Sequence, residues 1–486
     1  MLNNTDLLPF LQEHFPFSDF RGRQRESIER LISGQSHLLL MPTGGGKSLV
    51  YQFLALWSDK PVLVVSPLIA LMEDQVRKAQ ALGIRTTHLS SLVNPRERTD
   101  RLANMVSGRY QLVFVTPERL RKSEFLEAAQ LVQWSFLVVD EAHCISQWGH
   151  DFRPDYSRIS EFWNIIQTPP ILALTATATA EVQQDIFRSL GMRLDSPVLD
   201  ADLNRPNLTL KVTDCFGLNE KVDRLFEIFK SSPGGVTLVY FSLIQTLQRV
   251  SLALRKEKIL HFVYHGDLDA GERRKQQKNF ERSEHCVMLA TPAFGLGIDK
   301  PNIRQLIHFE IPGSLESYFQ EIGRAGRDGK DSQVELLFDE EDLLIQMDFL
   351  KWAHPDFEFM SSLLQILAKD FKVVQQQGIG FLRAKMNFKN RSDFRVDAAI
   401  HIFSRSGILE KYESSETQFP YILQKEAHER LLEIQSPEIL LKHQQKKLLR
   451  MVQWAKDLEQ CRLKSLVEYF SSHSTSNCGR CDVCRK

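Results

Sequence analysis

The sequence predicts an α/β fold, with two parallel-sheet lobes followed by a mainly helical C-terminal region that ends in a cluster of cysteines. Three observations carry that prediction. Short apolar runs alternate with helix-like stretches up to about residue 340, the cycle restarts after a polar, proline-bearing stretch at Asn204–Thr213, and the apolar runs vanish beyond Glu340. At 486 residues the chain exceeds what one hydrophobic core supports, so several globular units are expected.

The first series of expected strands is Leu38–Leu40, Val62–Ser66, Leu112–Thr116, Phe136–Asp140 and Ile171–Thr175. The second is Val236–Phe241, Val287–Ala290, Leu306–Phe309 and Val334–Phe338, with a hinge expected near residues 204–214. Beyond Glu340, Phe357–Phe371, Leu382–Met386 and Asp393–Ser406 read as helices, and ILEKYESSETQFPYIL reads as a β-hairpin, the layout of a winged-helix-like unit. The expected domains are 1–204, 205–345, 346–425 and 426–486.

Composition sets limits on function. With 43% hydrophobic and 25% charged residues the chain is neither disordered nor fibrous. MLNNTDLLPF lacks the basic start and apolar core of a signal peptide, and there is no apolar run near 18 residues, so no membrane role is expected. Basic and acidic residues both total 61, so any nucleic-acid surface must be a local patch. One candidate is Lys369–Lys411, where nine basic residues face four acids; a solvated basic face explains it equally well.

MPTGGGKS at Met41–Ser48 follows an apolar strand and precedes a helix-like stretch, so glycine amides and a helix N-terminus converge on phosphates. Lys47 would meet the β and γ phosphates, and Ser48 would hold magnesium. The strict pattern wants Gly where Met41 stands. Phe136–Val139 ends in Asp140-Glu141-Ala142-His143, which sets two carboxylates at a sheet's C-terminal edge. Asp140 suits magnesium and Glu141 suits a water, one carboxylate for each task of phosphoryl transfer.

This DEAH run, with TATAT at Thr175–Thr179 and QEIGRAGRDG at Gln320–Gly329, resembles superfamily 2 helicases. FRGRQ at Phe20–Gln24, HCISQWGHDFRPDY at His143–Tyr156 and ATPAFGLGIDKPNI from Ala290 onward are similar to the RecQ branch, and the likeness covers residues 11 to about 340. The resemblance implies two RecA-like lobes that bind ATP and magnesium. It assigns adenine reading to Gln24 with help from Arg21, and nucleotide contacts to Thr43, Gly44, Gly45, Gly46, Lys47, Ser48 and Asp299. Lys47, Asp140 and Glu141 would act with Arg324 and Arg327, fingers that reach across the cleft to the γ-phosphate. Trp148, Phe152 and Arg153 would couple DNA to turnover, with His143 as relay and Thr175 as a further DNA-binding or coupling residue. Pro67, Leu68, Asp74, Gln75 and TPERL at Thr116–Leu120 resemble segments by which the first lobe grips a strand, and Tyr264-His265-Gly266 resembles the matching grip in the second.

Cys461, Cys478, Cys481 and Cys484 have the spacing of a closed four-thiolate zinc site; an iron–sulfur cluster also takes four thiolates, and His473 is a rival ligand. CRLKSLVEYF before the triplet again resembles RecQ, but the order differs. In that family the zinc module follows the second lobe directly and a winged helix comes after it. Here the winged-helix-like stretch comes first, so junction preferences tied to the usual order do not transfer.

The resemblance implies an ATP-dependent 3′–5′ DNA helicase of repair or recombination, acting on single-stranded and duplex DNA as a monomer. It would work at the nucleoid in a bacterial cytoplasm or in a eukaryotic nucleus. An RNA helicase or translocase, and a non-unwinding ATPase scaffold, are the alternatives.

Overall fold

The computed structural model describes residues 7–486 other than 43, 68, 91, 147–152, 202, 232–233, 296–297, 299, 387–392, 413–416, 435–436 and 471–474. The chain forms two compact units. One comprises Met1–Glu310, Leu315–Phe338 and Trp454–Lys486, and the other Ile311–Ser314 with Asp339–Gln453.

The first unit contains two parallel sheets. Strands β1 (His37–Leu40), β2 (Val62–Val65), β3 (Thr86–Leu89), β4 (Leu112–Val115), β5 (Phe136–Val139), β6 (Ile171–Thr175) and β7 (Val198–Asp200) stand in the order β3-β4-β2-β5-β6-β1-β7. Strands β8 (Leu208–Asp214), β9 (Val236–Tyr240), β10 (His261–Tyr264), β11 (Cys286–Ala290), β12 (Ile303–His308) and β13 (Ser332–Phe338) stand in the order β10-β11-β9-β12-β13-β8. Inner strands such as VLVV and FLVV are buried throughout, because helices cover both faces of a parallel sheet. In the first sheet this produces two buried clusters, one around Leu63, Val113 and Leu137 and another around Phe53, Val64 and Val138.

Within the stretch 204–214, where a hinge is expected, residues 208–214 form β8, which pairs with β13 in register from Leu208↔Ser332 to Asp214↔Phe338. Its alternation of buried and half-buried residues is that of a sheet edge, which is why no apolar run marks it.

Topology positions the site. β1 and β5 flank β6, so the loop after β1 and the carboxylates after β5 leave the same C-terminal edge with the end of β6 between them.

The second unit contains the helices Phe357–Gln377, Ile379–Lys385 and Arg395–Arg405, then β14 (Leu409–Lys411) paired antiparallel with β15 (Tyr421–Leu423). The longest of these helices outruns its expected end at Phe371 through a kink at Asp370. Leu363, Leu367, Val396, Ile400, Phe403 and Phe419 form its core. Among the described residues no helix is long and apolar enough to cross a membrane.

Candidate nucleotide cleft and four-cysteine site

Positive φ at Gly44 (+80°) and Gly46 (+89°) bends the chain after β1 into a loop that turns into the helix Lys47–Trp57. A Cβ at Gly45 would stand 2.8 Å from Met41 Cγ, and one at Gly46 would stand 2.6 Å from Gln24 Nε2. The departure at Met41 is thus packing: this buried side chain supports the loop from below. Gln24 is also buried, and its Nε2 donates to Gly46 O at 2.9 Å and Gly45 O at 3.3 Å. Its Oε1 accepts from the Arg21 amide at 2.8 Å. A cavity of about 250 Å³ beside them is lined by Phe17, Arg21, Gln24, Ser48 and Gln75, with the Arg21 guanidinium 5.9 Å from the Phe17 ring centre.

Lys47 Nζ lies 3.6 Å from Glu141 Oε1. Asp140 is buried, and its Oδ1 accepts from the Glu141 amide at 3.0 Å. Burial, reinforced by the neighbouring Glu141 and only partly offset by Lys47, pushes the Asp140 carboxyl up to about 6. A carboxylate this short of positive charge, with Ser48 lining the same cavity, has the donor chemistry of a divalent-cation site. Glu141 adopts left-handed backbone angles (φ 47°, ψ 48°), strain of the kind concentrated at functional positions. His143 Nδ1 sits 2.9 Å from Thr175 Oγ1 and 3.4 Å from Glu141 Oε2, so a buried histidine ties the end of β6 to the residue after Asp140.

The second sheet supplies two arginines through the turn after the helix Leu315–Ile322. The Arg327 side chain lies over the phosphate loop, so that a Cβ on Gly44 would meet its Cγ at 3.0 Å, and its Nη1 donates to Ile298 O at 2.6 Å. Arg324 is buried and donates through Nη1 to Gly295 O. Gly44, Lys47, Asp140, Glu141, Arg324 and Arg327 all line one cavity of about 220 Å³.

Other expected residues fall elsewhere. Thr43, Leu68, Trp148, Phe152, Asp299 and His473 lie outside the described residues. Arg153 donates to Pro67 O at 2.8 Å, bracing the loop after β2. His265 is buried, and it lines a separate groove with Arg255 and Gln276. Asp74 and Gln75, read as strand-gripping residues, line the nucleotide cavity, where Gln75 Oε1 accepts from Tyr51 Oη at 3.3 Å. Tyr51, Lys78 and Gln320 line it as well, and no sequence pattern marks the first two.

The four cysteines converge, with all ligand atoms within 4.8 Å of one another. A sulfur tetrahedron with metal–sulfur bonds of about 2.3 Å has edges of about 3.8 Å, so the cluster fits zinc. Cys461 Sγ accepts from the Cys478 amide at 3.2 Å and Cys478 Sγ from the Cys481 amide at 3.4 Å, the backbone support that thiolates need.

Comparisons with known proteins agree with this geometry. Residues 21–186 match the DEAD/DEAH box helicase family, 220–329 the helicase conserved C-terminal domain and 422–485 the RecQ zinc-binding family. The chain is 38% identical over 392 residues to the probable ATP-dependent DNA helicase RecS of Bacillus subtilis, covering 79% of this chain and 78% of that one. It is 40% identical over 338 residues to the ATP-dependent DNA helicase RecQ of the same organism, covering 69% of this chain but 56% of that one; the chain thus spans about half the length of its RecQ relative. In fold it is similar to S. cerevisiae Dbp5 bound to RNA and ADP BeF3, with a TM-score of 0.54 at 19% identity over 70% of this chain and 89% of that one. With ATP, magnesium and zinc as the cofactors that these matches and the cysteine cluster support, the chain belongs to the RecQ family of ATP-dependent DNA helicases.

Proposed function

We propose that the chain couples ATP hydrolysis to 3′–5′ movement along single-stranded DNA and thereby unwinds duplex DNA in repair or recombination. The observation that carries this reading is the shared cavity in which Arg324 and Arg327 of the second sheet face Gly44, Lys47, Asp140 and Glu141 of the first. In this reading 1–204 and 205–345 are the RecA-like motor lobes, 346–425 a winged-helix-like domain and 426–486 the zinc module. The phosphates lie on the amides of the Thr43–Gly46 loop and the N-terminus of the following helix, with Lys47 against the β and γ groups. Magnesium, held by Ser48 and Asp140, would draw charge from those phosphates. Glu141 orients the attacking water and accepts its proton. Arg324 and Arg327 neutralise the charge that grows on the γ-phosphate as its bond to the leaving oxygen breaks. Gln24, Arg21 and Asp299 complete the nucleotide contacts.

Coupling follows from the Thr175–His143–Glu141 chain. Trp148, Phe152 and Arg153 follow His143 in sequence, so bases stacking on them would act on the same stretch of chain that carries the hydrolytic carboxylate. His265 contributes to the second lobe's grip. The chain acts as a monomer, at the nucleoid in a bacterium or in the nucleus of a eukaryote. The test is unwinding of 3′-tailed against 5′-tailed duplexes, with ATP turnover compared on single-stranded DNA and RNA of equal length. Unwinding from the 3′ tail and stronger stimulation by DNA are expected; 5′ polarity or RNA preference would overturn the reading.

A further inference from the structure

We propose that Arg205 is a positioning residue for ATP hydrolysis, which fixes the turn carrying Arg324 and Arg327 and is itself held in place by the four-cysteine segment. The proposal rests on the ATPase reading of the cleft given above.

Arg205 lies in the polar stretch between the two sheets; its Nε lies 3.4 Å from Asn207 Oδ1, and its two terminal nitrogens donate to main-chain oxygens. Nη2 donates to Ala325 O at 2.6 Å and Gly326 O at 3.0 Å, and Nη1 reaches Gly323 O at 3.4 Å. These carbonyls bracket Arg324 and immediately precede Arg327. Among the described residues no carboxylate pairs with Arg205, and burial lowers its pKa from the ordinary arginine range. A half-buried cation without an acid is costly, so its placement must satisfy something else. Here it satisfies carbonyls of the turn just past the helix Leu315–Ile322, where the helix dipole favours positive charge.

Asn207 closes the same turn from the other side, with Nδ2 donating to Gly326 O at 2.9 Å and Lys330 O at 3.0 Å. Gly326 itself has φ +54°, and a Cβ there would lie 2.5 Å from Asn207 Nδ2 and 2.7 Å from Ser332 Oγ. The turn therefore has no slack on that face.

The cysteine segment holds Pro206, next to Arg205, and the strand β8 that follows it. Arg480 donates through Nη1 to Pro206 O and, at 3.0 Å, to Asp331 Oδ1. Asp482 joins the edge of β8, its amide donating to Leu210 O at 3.2 Å and its Oδ2 accepting from the Val212 amide at 3.1 Å. Arg462, 1% exposed, clamps Asp482 with Nε–Oδ1 at 3.1 Å and Nη2–Oδ2 at 3.2 Å. Arg205 also shares a small cleft with Pro42 of the phosphate loop, Phe319 of the arginine-bearing helix and Leu463 of the cysteine segment. Both sides of the nucleotide site and the cysteine segment thus meet at one side chain, and a shift of about 1 Å in catalytic donors costs on the order of 10²-fold in rate.

The test uses the full chain carrying Arg205→Ala or Arg205→Lys. Turnover and KM for ATP are measured with single-stranded DNA, and the affinities for ADP and for ADP with aluminium fluoride are measured beside them. For Arg205→Ala we expect kcat about 10- to 100-fold lower with KM within about three-fold, and a matching loss of aluminium fluoride affinity but not of ADP affinity. Arg205→Lys falls between, because it keeps the charge and loses the fork. Should Arg205→Ala not fold, Arg205→Lys and Asn207→Ala report the same split. Equal losses for ADP and the aluminium fluoride complex, or unchanged turnover per nucleotide site, overturn the proposal alone. A wild-type chain without nucleic-acid-stimulated hydrolysis overturns the underlying reading and the proposal together.

Discussion

The first lobe meets the cleft with a helix N-terminus, where Gly44 and Gly46 turn the chain into Lys47–Trp57, whereas the second meets it just past a helix C-terminus, where Leu315–Ile322 gives way to Arg324 and Arg327. A helix N-terminus attracts phosphate at all times; a helix C-terminus repels it, and only the guanidinium groups reverse the sign. In the proposed function this difference becomes a division of labour, in which one side would supply standing affinity and the other stabilisation that matters as charge shifts during reaction.

The largest expected effect is on the affinity side. Lys47→Ala should lower DNA-stimulated ATP turnover by about 10³-fold or more and remove unwinding, read by steady-state hydrolysis and strand separation. A variant that still unwinds would break the comparison outright. Next, Arg327→Ala should cut kcat by about 10²- to 10³-fold while ADP affinity moves only a few-fold. If ADP affinity fell as far as turnover, the two sides would not divide the work.

The lobes also share a staple in which a helix serine meets the histidine that opens a strand. Ser27 Oγ lies 2.7 Å from His37 Nε2 and Ser251 Oγ lies 2.7 Å from His261 Nε2, with each Nδ1 facing a carbonyl two residues back. His37 opens the inner strand β1 and is fully buried, and burial pushes it down to about 4. His261 opens the edge strand β10, is half-buried, and is lowered for the same reason. An unfolded histidine titrates near 6.5, so the unfolded chain binds the proton first as pH falls. His37 therefore costs nothing above about pH 6.5 and drains up to about 3 kcal/mol of stability as pH drops towards 4. Thermal unfolding between pH 4 and 7 should lose part of its slope in His37→Asn; parallel curves for wild type and variant would remove this contribution. At the small end, Ser27→Ala strands a fully buried ring nitrogen and should cost about 1–3 kcal/mol, against about 1 kcal/mol or less for Ser251→Ala. Equal costs in denaturant titrations would mean that inner and edge positions do not differ.

Inner and edge positions also explain what could be read in the sequence. The nine strands recognised there, from Leu38–Leu40 to Val334–Phe338, are the inner strands of the two sheets. The four that were not, β3, β7, β8 and β10, are the four edges. Inner strands such as VLVV, LVFV and FLVV are covered on both faces and read as apolar runs, whereas the edge strand TTHL opens on two threonines and HFVY is only half-buried. The cleft divides in a similar way. Lys47, Asp140, Glu141, Arg324 and Arg327 sit in dense motifs whose glycines and acids have a direct chemical reason, and the structure brings them to one cavity. Tyr51 and Lys78 line that cavity from helix surfaces where the neighbouring pattern is only amphipathic. Arg205 sits in a proline-bearing stretch that looks like a linker, and its role depends on carbonyls more than a hundred residues away, as its contact with Ala325 illustrates.

Asp482 bonding to Leu210 and Val212 has one more consequence. An open sheet margin is a template on which a second molecule can grow its own strand. Asp482 covers part of that margin, so a chelator that loosens the cysteine segment should bare it, with a rise in light scattering before the nucleotide-binding half unfolds as the expected outcome.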